Sequence, residues 1–237
     1  MDDVSSQFHD AFTAIENWLK KELGTQRGEF WWLVDEMVDR NPGFRRHAEP
    51  LKAFAEVRNL IIHRYSRGNP LAIPSDLSLR KLLAIKGQLL SPPSLLALAA
   101  KPVEMCRPSD PLGCCVRKMH DGVFSQLPIY DGEEYCGLLT AETIARWLAS
   151  FFVGDGEGIV DEQLVKEVMR YQEDGDNVEF MARTETVASG LAAFDKFLNQ
   201  GNRLDAILIT NSGSRTETLL GIVTINDIPK LNGAIHG

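Results

Sequence analysis

The sequence predicts an α + α/β protein, in which an antiparallel helical bundle precedes a unit of strands and helices that occurs twice. Three observations carry this expectation. Apolar residues recur at three- and four-residue spacing through the first 95 or so positions. Beyond them the period shortens to that of strands, and the stretch around Gly137 returns in altered form around Gly221, 84 residues later. A chain of 237 residues exceeds the usual single-domain length, so two domains are expected, 1–95 and 96–237.

The elements follow in order. Phe8, Phe12, Ile15, Leu19 and Leu23 form one helical stripe that ends at Gly24, a residue suited to a helix stop. A second helix is expected from about Glu29 to Asp39, broken by Asn41-Pro42-Gly43. A third runs from Phe44 or Glu49 to the neighbourhood of Gly68-Asn69-Pro70. Ser75 or Asp76 can cap a fourth through Leu77, Leu82, Ile85 and Leu89, before Ser91-Pro92-Pro93 interrupts the pattern. Four helices with short connections make an antiparallel bundle. A short apolar segment, Leu95 to Ala100, leads into the second half. There, Leu127 to Asp131 and Gly137 to Thr140 read as two strands joined by a polar turn, followed by the helical pattern Ile144-Trp147-Leu148. Asp205 to Ile209, the polar loop Asn211 to Glu217, and Gly221 to Ile228 repeat that arrangement. A helix is expected before each core, at about Leu112 to Gly122 and Val187 to Asn199, and an acidic connecting helix at Asp161 to Gln172.

Composition and charge narrow the function classes. No apolar run approaches the roughly 18 residues of a membrane helix, and Met1-Asp2-Asp3 lacks the basic start of a signal peptide; a cytoplasmic protein without a membrane partner is expected. Cys106, Cys114, Cys115 and Cys136 show no CxxC spacing and no histidine at zinc-finger distance, so no metal site is expected and the thiols are read as reduced and mostly buried. Net charge is −8, but it is segregated. Residues 41–90 carry nine Lys or Arg against three acids, a balance of +6, whereas residues 121–237 carry eight against nineteen, a balance of −11. A local basic face can attract a polyanion even on an acidic chain, because screening confines the field to about 10 Å; a solvated helix surface explains the same charges.

Arg58-Asn59-Leu60-Ile61-Ile62-His63-Arg64-Tyr65 sets a guanidinium, an imidazole and a phenol close together near a helix end. At 100° per residue, Asn59 and His63 share one side, while Arg58 and Tyr65 share the face of Phe54 and Ile61. An arginine on an apolar stripe is costly unless it is paired or faces a wet cleft, which points to a partner surface. The arrangement RN…HxY in a helical setting resembles the HEPN domain, over about residues 1–95. That resemblance implies a homodimer whose motif helices line one composite cleft for RNA rather than DNA. In it His63 would act as general acid or base, Arg58 would hold the phosphate, Asn59 would orient His63 or the phosphate, and Tyr65 would position substrate. HEPN-like proteins include metal-independent ribonucleases and simple binding modules.

The two repeated cores are similar to tandem CBS motifs, with repeat one at about 100–152 and repeat two at about 178–237. CBS pairs often bind adenine nucleotides through a GhhTxxD pattern, in which the hydroxyl faces phosphate and the carboxylate accepts from the ribose. Gly221, Thr224 and Asp227 match it. The first copy keeps Gly137 and Thr140 but has Thr143 in place of the Asp, with Glu142 one position early. By the same resemblance, Thr184 and backbone near Ala206 would bracket the base, and Arg183 would neutralise phosphate. Together the two resemblances imply a nucleotide-regulated, metal-independent endoribonuclease or toxin-like effector, requiring no cofactor and sensing AMP, ADP or ATP. The alternative is a non-catalytic regulatory protein that binds an adenine nucleotide.

Overall fold

Caps and apolar stripes account for most of the helix boundaries. The computed structural model describes residues 3–63, 65–66, 69–70, 73–153, 162–172 and 177–236. The chain divides into two compact units, Met1–Pro92 and Pro93–Gly237.

In the first unit, α1 (Asp3–Leu23) buries Phe8, Ala11, Phe12, Ile15, Leu19 and Leu23 on one face. It ends at Gly24, whose φ of +67° suits a residue without a Cβ. Helix α2 (Phe30–Arg40) buries Leu33, Val34 and Met37 and stops at Asn41, whose side chain accepts from the Gly43 N–H at the start of a 3-10 turn, Pro42–Phe44. Helix α3 (Arg45–His63) contributes Leu51, Phe54, Ala55 and Ile61 to the same core. It ends short of the expected Gly68-Asn69-Pro70. Tyr65 leaves the helix for a short strand β1 (Tyr65–Ser66), antiparallel to β2 (Asn69–Pro70), with Tyr65 opposite Pro70. A residue before proline is biased to extended backbone, so Asn69 favours the ladder over another helical turn. Helix α4 (Asp76–Leu90) is capped by Ser75, whose Oγ accepts from the Ser78 N–H at 3.1 Å. It buries Leu79, Leu82 and Ile85, whereas Leu77, expected on the inward stripe, is exposed. Edge-on packing of Phe8 against Phe54, with ring centroids 5.8 Å apart, ties α1 to α3.

The second unit contains two copies of one topology. In the later copy, β5 (Val178–Ala182) runs parallel to β6 (Ala206–Thr210), which pairs antiparallel with β7 (Gly221–Thr224). Helix α9 (Val187–Asn199) connects β5 to β6, and α10 (Ile228–His236) follows β7. In the earlier copy, β3 (Gln126–Asp131) pairs antiparallel with β4 (Glu134–Thr140). Helix α6 (Leu112–Gly122) precedes that pair and α7 (Ala141–Val153) follows it. The counterpart of β5 shrinks to one residue: Cys106 bridges Ile129 in parallel, donating to Pro128 O and accepting from Tyr130 N–H.

The segments leading into the copies are exchanged. Helix α5 (Leu95–Leu98) and Ala100 precede the earlier copy but dock on the later one, through Leu95 N–H to Glu185 O and Ala100 N–H to Ile222 O. Residues ahead of β5 dock on the earlier copy, where Leu164 bridges Pro111, and α8 (Val165–Val168) buries both of its valines against Cys106 and Leu127. The connecting helix expected over Asp161–Gln172 is therefore a single α-turn followed by a 3-10 turn, Met169–Tyr171. Only Cys106 and Cys115 of the four free thiols are buried; Cys114 and Cys136 are exposed, contrary to the expectation of mostly buried thiols, because they occupy outward positions on α6 and β4. Among the described residues no helix is long and apolar enough to cross a membrane.

Candidate functional site

Strand β7 ends at Thr224, opposite Ala206 in the ladder, and the chain then makes a 3-10 turn, Ile225–Asp227, into α10. Asp227 Oδ2 accepts from the Thr224 backbone N–H at 2.8 Å and from Thr224 Oγ1 at 3.1 Å. The carboxylate is thereby held at the strand end, at the start of a helix where negative charge is favoured. Gly221, at the other end of the strand, is required by close packing. A Cβ there would lie 2.8 Å from Ala99 Cβ and 3.0 Å from Leu96 Cδ1.

This turn opens onto a cleft of ≈ 320 Å³. Thr224, Asn226 and Asp227 line it from the later copy. Pro102, Val103 and Glu104 line it together with Phe124, Ser125 and Gln126, all from the earlier segment of the unit. The exchanged linker explains the composite wall, because mutual hydrogen bonds between Ala100 and Ile222 (2.9 and 3.3 Å) hold the 100–104 segment beside β7.

The equivalent turn of the earlier copy is built differently. Thr140 Oγ1 accepts from the Thr143 N–H at 3.0 Å, and the two hydroxyls are also 3.0 Å apart. A buried hydroxyl thus stands where Asp227 presents a carboxylate. Glu142 is engaged by Arg146 at 3.2 Å and Arg203 at 3.9 Å. The space beside this turn, between Thr140 and the chain at Asn177 and Asp205, is ≈ 20 Å³. That is enough for about one water, whereas the larger cleft reaches the lower end of small-ligand sites, roughly 300 Å³.

Of the residues proposed from sequence, Thr224 and Asp227 meet in the cleft wall. Ala206 is fully buried in β6 as the ladder partner of Thr224, and Arg183 and Thr184 lie exposed in the turn after β5. These three are not among the described residues that line the cleft. Sequence reasoning missed Val103, Glu104 and Phe124 to Gln126, since nothing in their local pattern marks them as walls of a site carried by the other copy.

In the helical unit, Arg58 Nη1 donates to Asn59 Oδ1 at 3.2 Å, and the guanidinium lies 5.9 Å from the Phe12 ring centroid. Arg58 and Asn59 therefore meet each other, with Arg58 over an aromatic face of its own bundle. His63 closes α3; its side chain and that of Tyr65 lie outside the described residues. His47, earlier on the same helix, accepts a 3.0 Å hydrogen bond from Arg46 Nε and is 6% exposed. Burial first, and the Arg46 charge second, push its pKa down to about 4, so it is neutral at physiological pH.

No curated protein matches the chain. Among solved structures, the chain is similar to the CBS domain pair of protein MJ0100 in complex with 5-methylthioadenosine and S-adenosyl-L-methionine, at 19% identity and a TM-score of 0.45, covering 60% of this chain and 97% of that one. It is also similar to the conserved CBS domain protein TA0289 from Thermoplasma acidophilum, at 16% identity and a TM-score of 0.43, covering 60% and 71%. A third likeness is to an uncharacterized conserved protein from Pyrococcus horikoshii, at 17% identity and a TM-score of 0.43, covering 59% and 92%. The family model described as CBS domain matches residues 97–150 of the chain.

Proposed function

We propose that this protein is a non-catalytic adenine-nucleotide sensor, in which residues 178–236 act as a second CBS repeat beside 97–150 and one ligand binds per chain. The observation that carries this reading is the contrast between the two turns. The Gly221, Thr224, Asp227 turn faces a cleft of ≈ 320 Å³ with its carboxylate held in place, while the Thr140, Thr143 turn has no matching carboxylate and faces ≈ 20 Å³. The ribose hydroxyls of the ligand would donate to Asp227, and occupancy would govern what the helical unit binds or does. Titration calorimetry with AMP, ADP, ATP and S-adenosylmethionine tests it: one event per chain is expected, abolished by Asp227→Ala. No heat with any of the four, or binding indifferent to Asp227→Ala, would overturn the sensor reading.

The endoribonuclease reading ranks second. It rests on Arg58 facing a partner surface, whereas Arg58 lies over the Phe12 ring and donates to Asn59 within its own bundle.

A further inference from the structure

Two carboxylates wall the larger cleft, Glu104 and Asp227, and among the described residues that line it there is no lysine or arginine. The neighbouring cations are engaged on backbone oxygens. Lys101, between two lining residues, places Nζ 3.4 Å from Leu96 O, and Lys118 donates to Met105 O at 3.0 Å. Lys118 Nζ also stands 3.8 Å from Glu104 Oε2, an exposed pair of the kind that offsets only part of a charge. The residues of this unit outside the described set include no lysine or arginine.

Strand register removes Arg183, the residue expected from sequence to neutralise phosphate. It follows β5, whose last residue Ala182 pairs with Thr210, whereas Thr224 pairs with Ala206 at the other end of β6. The strand from Ala206 to Thr210 separates those ends by about 13 Å. Asp227, by contrast, is held at the Thr224 end by two hydrogen bonds. Val103, Phe124 and Ile222 give the cleft apolar surface suited to a planar ring. The walls therefore suit a base and a sugar, while a phosphate brought among them would meet like charge.

We propose that this cleft selects adenosine bearing no phosphate, with a neutral or positively charged group on its 5′ carbon, and that Glu104 sets the preference. The assignment rests on the cleft being an adenosine site and narrows the ligand class within that reading. A phosphate is disfavoured twice here, by repulsion from the carboxylates and by loss of its hydration without a cationic donor in exchange. The same field attracts an ammonium group. Asp227 serves the ribose whatever the 5′ group is, which leaves Glu104 as the charge that discriminates.

Full-length protein is titrated at low salt with adenosine, 5′-amino-5′-deoxyadenosine and AMP, which differ only in carrying a neutral, cationic or anionic 5′ group. AMP is expected to bind about tenfold more weakly than adenosine, and the amine more tightly, since each screened charge pair at such a site changes affinity by about twofold to fivefold. Raising salt to about 1 M, where the screening length is about 3 Å, should bring the three together by moving AMP and the amine in opposite directions. Glu104→Gln keeps the shape and removes the charge; it should strengthen AMP by about twofold to fivefold and leave adenosine unchanged. AMP that binds the unaltered protein as tightly as adenosine defeats the proposal, and that comparison depends on no variant folding. A gap between adenosine and AMP that Glu104→Gln leaves intact defeats the role of Glu104. In both cases adenosine binding that is lost in Asp227→Ala leaves the sensor reading standing, whereas binding of none of the three, nor of the other ligands named above, overturns both.

Discussion

Acid should loosen the helical unit through one imidazole. His47 has an ordinary pKa near 6.5 when the chain is unfolded and about 4 in the fold, where burial and the neighbouring Arg46 disfavour the charged form. Since the folded value is depressed, the unfolded chain takes up the proton first as pH falls. The contribution is complete above pH 6.5, declines between 6.5 and 4, and is gone below 4. At 1.36 kcal/mol per pH unit, the window amounts to about 3 kcal/mol, most of it lost by pH 4.5. Carboxylates titrate near the bottom of the same window, so the variant His47→Gln provides the baseline, with a carboxamide able to accept from Arg46. Urea unfolding followed by tryptophan fluorescence is the assay, and it reports mainly on this unit because Trp18, Trp31 and Trp32 lie in it and only Trp147 does not. Between pH 7 and 4.5 the wild type should lose about 2–3 kcal/mol more than His47→Gln. Equal losses in the two proteins would refute the argument that this histidine is held neutral by its surroundings.

Other expectations follow from packing and from the two turns. Gly221→Ala should lower stability by about 1–3 kcal/mol, because its Cβ would meet Ala99 and Leu96; a wild-type melting temperature would contradict the close approach. Thr143→Asp should lower the melting temperature and still leave calorimetry with one event per chain, since ≈ 20 Å³ admits no nucleoside; a second event would show that the missing carboxylate, not the space, closes that turn. Tyr130→Phe removes a buried hydroxyl with no hydrogen-bond partner among the described residues, on a phenol whose pKa burial raises to about 12, and should be neutral or stabilising by up to about 1 kcal/mol. A clear loss of stability would reveal a donor or acceptor that the hydroxyl needs. Incubation with structured and single-stranded RNA in EDTA, with and without ATP or AMP, should give no cleavage; cleavage that disappears in His63→Ala would restore the ribonuclease reading of the first unit.

Local pattern was sufficient for much of this molecule. The stripe from Phe8 to Leu23, the stop at Gly24, the Ser75 cap and the apolar runs of β3 and β6 each draw their information from residues within a few positions, and periodicity makes that information visible in one dimension. The repeat of Gly137 at Gly221, and the change from Thr143 to Asp227 within it, were equally legible. Three features were not. Helix α3 ends at His63 rather than near Pro70, since a short strand ladder competes with the last turns and its strength depends on pairing. Strand β5 has an unremarkable run, Val178 to Ala182, and becomes a strand by lying parallel to β6. The Arg58 side chain finds Phe12, 46 positions earlier, so a face that looked unpartnered along α3 is covered from α1.

The chain by itself determined which turn carries a carboxylate, because Asp227 and Thr143 differ in chemistry whatever surrounds them. Only the tertiary structure decided that this carboxylate faces a usable space and that Glu104 shares it. The exchange of linkers brings residues 100–104 and 124–126 to the end of β7. Sequence order cannot express that exchange, since hydrogen bonds such as Ala100 to Ile222 join backbone groups that exist in every residue and carry no mark of their partner.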